Sequence, residues 1–312
     1  MTPPAAPTPQ SASPSGVPFG GIDAAATVRS RGNLVAFTSP GGGVGLTTLM
    51  AMCGLTASKR GISCALMDAD LRGGGLGVML GIEHEPGLTL QDLNAPLGHI
   101  EGNALNHELP QWEDMRVLAH APWLGEDPDE WELQAAVKAL CESNDLVLVD
   151  AGRGDALRTI PELAMARQVV AVELSALGMA RARSHLALLS QARNRALNPQ
   201  SASDGDHAGT GIAGDDPPLV VGVEPRGATK RSASSSVALR EAIERFGDEA
   251  LGPLRCDPAL CADIMNGLGI RSVPKSARQV VDELADRIVA PAPQPRAARH
   301  RAPKTKTRRS RS

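Results

Sequence analysis

No tyrosine occurs in this chain of 312 residues, and phenylalanine and tryptophan contribute only three residues each. A core must therefore be built from Ala, Leu, Val, Ile and Met, which a chain of this length can bury in quantity. Long apolar runs are missing too: none reaches the ~18–20 residues that cross a bilayer. The opening stretch, MTPPAAPTPQSASPSGVPFGG, has no basic start followed by an apolar segment, so it does not read as a secretory signal. These absences lead to the expectation of a cytoplasmic protein. Cysteines are few. Cys53, Cys64, Cys141, Cys256 and Cys261 are odd in number and scattered, and no second pair or closely spaced histidines complete a zinc pattern around Cys256 and Cys261. They read as ordinary buried or half-buried thiols.

Charge of one sign is absent from the end of the chain. Residues 291–312 carry eight Lys or Arg and no acid, so the formal total of −3 splits into +8 there and −11 on residues 1–290. A basic tail of this kind suits weak, nonspecific contact with DNA phosphates or an anionic membrane, or serves only to keep the chain soluble. It lacks aromatics and a fold of its own, which argues against sequence-specific reading.

Between the ends, short apolar runs alternate with longer amphipathic ones. Residues 1–30 and 291–312 read as disordered tails, and 198–218 as a long loop rich in Gly, Asp and Ser. Strands are expected at 34–38, 64–68, 115–119, 146–150, 168–172 and 219–223, with helices at 47–59, 129–143, 176–197, 234–246 and 276–290. Continuously apolar strands separated by helices imply a parallel sheet covered on both faces. The expectation is an α/β fold over 31–290: a doubly wound, mostly parallel sheet flanked by helices. The last helix carries Val280, Val281, Leu284, Ile288 and Val289 as one stripe, read as core packing in preference to membrane docking.

Chemistry concentrates in Thr38–Leu49, TSPGGGVGLTTL, between a strand and a helix. A glycine-rich turn there can aim backbone N–H groups and a helix N-terminus at phosphate, and Thr47 can offer a hydroxyl to Mg²⁺. The segment resembles the deviant Walker A loop of ParA/MinD-type P-loop ATPases, K-G-G-x-G-K-T-T. Gly42, Gly43, Val44, Gly45, Thr47 and Thr48 match it, whereas Gly41 and Leu46 stand in the places of its two lysines and Pro40 in that of its leading glycine. Leu66–Gly81 resembles the family's second motif through Asp68 and Asp70, and Leu146–Gly154 resembles Walker B through Asp150. Cys256–Ile288 is similar to the family's closing section.

The resemblance implies a P-loop fold of the SIMIBI, MinD-like type. It implies ATP and Mg²⁺ as ligands, with Gly41–Thr48 as the nucleotide loop and Thr47, Asp68 and Asp150 toward the metal. Asp68 and Asp70 would be the catalytic pair if the chain is active. The GGGLGVMLG stretch, the degenerate loop and the lack of a membrane-targeting helix after residue 290 are most similar to the CpaE/TadZ-like branch. That branch implies a homodimer and a pilus-secretion or cell-division partner, with recruitment to a cell pole or septum. Loss of both lysines implies weak or absent hydrolysis, because a preorganised cation at the phosphates carries much of the rate. Arg72 and Arg153 are the candidate replacements. Many relatives place an asparagine for adenine after the strand at 219–223, where this chain continues Glu224-Pro225-Arg226. The alternative expectation is an active ATPase switch that dimerises with ATP and binds DNA nonspecifically. A redox or transfer enzyme fits less well, since no G-x-G-x-x-G turn and no Ser-His-Asp or Cys-His set can be assembled.

Overall fold

The computed structural model describes residues 32–198, 217–225, 234–246 and 250–289. The tails expected over 1–30 and 291–312, nearly all of the loop 198–218, and Arg226 lie outside the described residues. In chain order the strands are β1 (Leu34–Thr38), β2 (Cys64–Asp68), β3 (Gln111–Trp112), β4 (Met115–Leu118), β5 (Leu146–Asp150), β6 (Arg167–Glu173), β7 (Leu219–Val223) and β8 (Leu251–Leu254). The helices are α1 (Leu46–Lys59), α2 (Leu76–Leu80), α3 (Gly102–Glu108), α4 (Glu130–Ser143), α5 (Pro161–Met165), α6 (Ala176–Leu197), α7 (Ser234–Phe246), α8 (Pro258–Met265) and α9 (Lys275–Val289).

The strands form one sheet in the order β3-β4-β2-β5-β1-β6-β7-β8. All neighbours run parallel except the β3–β4 pair at one edge. Strands buried on both sides explain the unbroken apolar runs. In β1, Val35 and Phe37 enter one core while Leu34 and Ala36 enter the other; in β5, Leu146 and Leu148 face the first and Val147 and Val149 the second. The first core is closed by α1 and α9, the second by α3 to α6.

Local chemistry sets the helix ends. Asp129 and Glu132 form a reciprocal capping box on α4, and Ser175 Oγ accepts the Gly178 N–H on α6 at 3.1 Å. In α1 the chain comes so close to the sheet that a side chain on Gly54 would begin 2.9 Å from Met115 Sδ. The start of α1 differs from the other two. It has no side-chain cap, so its first N–H groups are left for whatever occupies the space before them.

The stripe on α9 faces inward. Val281, Leu284 and Ile288 are buried against α1 and β8, and only Val289 is exposed. Core packing therefore accounts for it. Leu284→Ala is expected to lower the unfolding free energy by about 3 kcal/mol in urea denaturation, the usual cost of emptying a fully buried leucine site. A change within ~0.5 kcal/mol, the range of surface substitutions, would mean that this stripe is not part of the core.

Candidate functional site

Parallel register brings the ends of three strands to one edge of the sheet. Asp68 at the end of β2 lies directly opposite Asp150 at the end of β5, and Phe37 of β1 is the next neighbour of Asp150. Over this edge runs the segment from Ser39 to Gly45. It is pinned at its base by the Ser39 N–H, which donates to the Gly152 carbonyl at 2.9 Å, and Ser39 Oγ donates to the Gly41 carbonyl at 2.8 Å. Gly43 and Gly45 have φ of 76° and 88°, left-handed backbone that favours glycine and turns the chain into α1. The loop borders a cavity of about 840 Å³, lined by Gly41 through Thr48 and by Asp70, Arg153 and Asp150. A second cavity of about 380 Å³ adjoins it between Gly42–Gly45 and the ends of β7 and β8, where Glu224 and Pro225 form part of its wall.

The three expected carboxylates behave differently. Asp150 is buried and accepts a 2.5 Å hydrogen bond from Thr47 Oγ1 and a 3.0 Å bond from the Gly152 N–H. Burial pushes its carboxyl up to about 6; the Thr47 bond counters this and the charges of Asp68 and Asp70 add to it. Asp68 lies behind the cavity wall. Its two oxygens accept backbone N–H groups from Asp70 (3.1 Å), Gly75 (3.0 Å) and Leu76 (3.2 Å), tying the turn after β2 to the sheet. Burial raises its carboxyl as well, against those N–H bonds. Asp70 is half-buried on the cavity wall, accepts the Gly73 N–H at 3.0 Å, and packs on Gly152 so closely that a side chain there would begin 2.3 Å from its Cγ.

Leu46 is almost fully buried and belongs to the core on the α9 side, where Val44 and Met79 pack against it. That position therefore serves as apolar packing. Cationic groups reach the loop from elsewhere. A side chain on Gly42 would begin 3.5 Å from Arg153 Nη2, and one on Gly41 would begin 3.7 Å from Arg181 Nη1. Neither arginine forms an ion pair among the described residues. Arg72, the other candidate from the sequence, has its Nε 3.5 Å from Asp155 Oδ2. Arg181 escaped sequence reading because it lies on α6, 140 residues from the loop, in a segment without a motif.

Two histidines brace this edge from below. His185 on α6 is buried with Nε2 2.9 Å from Thr38 Oγ1, and burial lowers it to about 4, so it supports the base of the loop as a neutral ring. His120 is buried beneath Gly74, with Nε2 2.7 Å from Asp127 Oδ1.

These chemistries give stability opposing slopes in acid. A depressed His185 pKa contributes stability that is complete above its unfolded value near 6.5 and is lost as pH falls toward 4. A raised Asp150 pKa does the reverse: the fold gains stability as pH falls from about 6 to 4. Asp150→Asn is therefore expected to become more stable relative to the native chain, by about 3 kcal/mol, as pH rises from 4 to 7. His185→Gln should gain a similar ~3 kcal/mol relative to the native chain as pH falls from 6.5 to 4. Urea denaturation at several pH values measures both, and flat differences would contradict the burial assigned to these groups.

No protein-family model matches the sequence, and no curated protein matches it. Solved structures do. A ParA family ATPase from Chlorobium tepidum TLS is 14% identical, with 81% of this chain and 98% of that one aligned at a TM-score of 0.58. A chain of the MinC:MinD cell division protein complex of Aquifex aeolicus is 19% identical over 82% and 95% of the two chains, with a TM-score of 0.60. Cobyrinic acid a,c-diamide synthase from Mycobacterium smegmatis, with ATP analog and magnesium bound, is 18% identical over 81% and 92%, with a TM-score of 0.54. At such identities the likeness concerns architecture, and it agrees with the mostly parallel sheet, its flanking helices and the glycine loop before α1: the chain has the P-loop fold that ParA-type and MinD-type ATPases share.

Proposed function

We propose that this chain is a localisation factor of the ParA/MinD type whose loop binds ATP with Mg²⁺ and hydrolyses it weakly or not at all. The observation that carries this reading is the pairing of Thr47 with the buried Asp150 under the glycine loop, beside a buried Leu46. A hydroxyl and a carboxylate at this point suit Mg²⁺, which would neutralise charge on the nucleotide phosphates. The loop N–H groups and the uncapped start of α1 suit the phosphates themselves. The magnesium and ATP analog on the similar synthase support the same ligands here. Leu46 offers no charge to a transferring phosphoryl group. Losing a preorganised donor of this kind costs on the order of 10²–10³ in rate.

The role that follows is spatial. As a homodimer formed across the nucleotide face, the chain would position pilus-secretion machinery or a division-site partner, in the manner of the CpaE/TadZ-like branch. Its location would be the cytoplasm, at a pole or septum. The cell-division setting of the similar MinC:MinD chain supports a partner of that kind. The retained Thr47, Asp68, Asp70 and Asp150 favour a second reading, an ATPase switch that coats DNA, with the basic tail adding salt-sensitive contact.

Calorimetric titration of Mg-ATP into the full chain, alongside Leu46→Lys, separates these readings. Binding by the native chain with negligible phosphate release is the expected result. Turnover on the order of that of ordinary enzymes, ~1 s⁻¹ or more, would favour the switch. Binding by Leu46→Lys alone would mean that the fold has outlived its ligand. Arg153→Ala, which removes a guanidinium from the cavity wall, is expected to weaken Mg-ATP binding about tenfold, as loss of one charge-assisted contact of ~1.5 kcal/mol does.

A further inference from the structure

The five thiols fall into two groups, contrary to the uniform reading from sequence. Cys53, Cys64 and Cys141 are buried, and burial pushes the Cys64 thiol up to about 12 and that of Cys53 higher still. Cys256 and Cys261 are exposed, with their sulfurs 3.4 Å apart. Their meeting has a local cause. Asp257 caps α8, its carboxylate accepting the Ala259 and Leu260 N–H groups. Cys256 therefore stands just before the cap and Cys261 in the fourth helical position, the two places whose side chains pack together in a hydrophobic staple. Here both members of the staple are thiols.

Position makes this contact consequential. Both cysteines line both cavities, and Ile264 and Met265 of the same helix continue the wall of the larger one. No residue of α8 is buried. The helix is held at its N-terminus by Asp257, which also accepts a 3.0 Å bond from Ser276 Oγ of α9. Only Leu260 and Ile264 of α8 pack against the core; an element with so little burial opens easily, and a covalent link across its first turn would restrain that turn. An S–S bond of ~2.05 Å requires the sulfurs to close by about 1.4 Å from their 3.4 Å separation, a shift within reach of side-chain rotation.

We propose that Cys256 and Cys261 form a reversible disulfide site, taking a low-molecular-weight disulfide as oxidant, that locks the first turn of α8 where it lines the loop cavity. One cysteine thiolate attacks a sulfur of the small disulfide, expelling one small thiolate. The second cysteine thiolate attacks the resulting mixed disulfide and expels the other. Two electrons pass to the small disulfide, which leaves as two thiols carrying the two protons that the cysteines release. Oxidation holds the wall in one position and so alters affinity for a ligand in the cavity. By linkage, that ligand alters the ease of oxidation. This coupling, unlike the disulfide itself, rests on the nucleotide reading above.

The test incubates the reduced full chain with oxidised glutathione and follows intact mass, peptide maps and amide exchange. The expected product is lighter by about 2 Da, joins Cys256 to Cys261, reverts with dithiothreitol, and exchanges the amides of 259–265 several-fold more slowly. Cys256→Ser and Cys261→Ser should each retain a glutathione adduct in place of the link. A native chain that stays reduced, or carries adducts only, overturns the disulfide site. Unchanged exchange over 259–265 overturns the restraint on α8. Mg-ATP affinities of the two forms that differ at least fivefold support the coupling. Equal affinities overturn the coupling alone, and binding by neither form overturns it together with the nucleotide reading.

Discussion

Two carboxylates at the ends of adjacent strands, taken out of water side by side, impose the main constraint on this molecule. Asp68 and Asp150 are register partners in β2 and β5, and both are almost fully buried. Like charges in such a position repel, and each loses hydration, so the surrounding chain has to supply hydrogen bonds. The turn after β2 folds back to give Asp68 three N–H groups, and α1 starts where Thr47 can reach Asp150. These bonds tie the turn after β2 and the entry into α1 to the sheet. Asp150 is left with an elevated pKa, a carboxylate that gains from a cation placed beside it.

Against that constraint the missing lysines acquire a physical meaning. Leu46 is nearly buried in the core on the α9 side while also lining the loop cavity, so the position contributes apolar surface in place of charge. Positive charge reaches the loop from other segments, through Arg153 after β5 and Arg181 on α6. Guanidinium groups can hold phosphate oxygens in pairs.

Much of the sheet was legible because its strands are covered on both faces. Residues 34–37, 64–67, 146–149 and 219–223 run apolar without a break, and the structure has strands at 34–38, 64–68, 146–150 and 219–223, as expected. The glycine loop and the strand-end aspartates were legible too, since each is a short-range pattern. Edge elements were not. β8 reads Leu-Gly-Pro-Leu, where glycine and proline mask the strand signal, and β3 has two residues. Sequence proximity singled out Cys256 and Cys261 yet gave no sign of their exposure, which depends on α8 lying over the surface of the domain. Arg181 and His185 share an analogous history: both belong to the long helix α6, and only the tertiary fold sets them against the loop and its base. Patterns local in sequence reveal elements, whereas groups converging from distant segments become visible only when the sheet is assembled.

The most direct measurement on the carboxylate pair is an NMR titration of the Asp150 side-chain carboxyl, assigned through Asp150→Asn, with and without Mg²⁺ and ATP. The expected midpoint is about 6 in the free chain, falling by more than one unit when Mg²⁺ and ATP are added together. A midpoint near the ordinary aspartate value of ~3.9, unmoved by either addition, would contradict both the burial of this pair and its readiness for a cation.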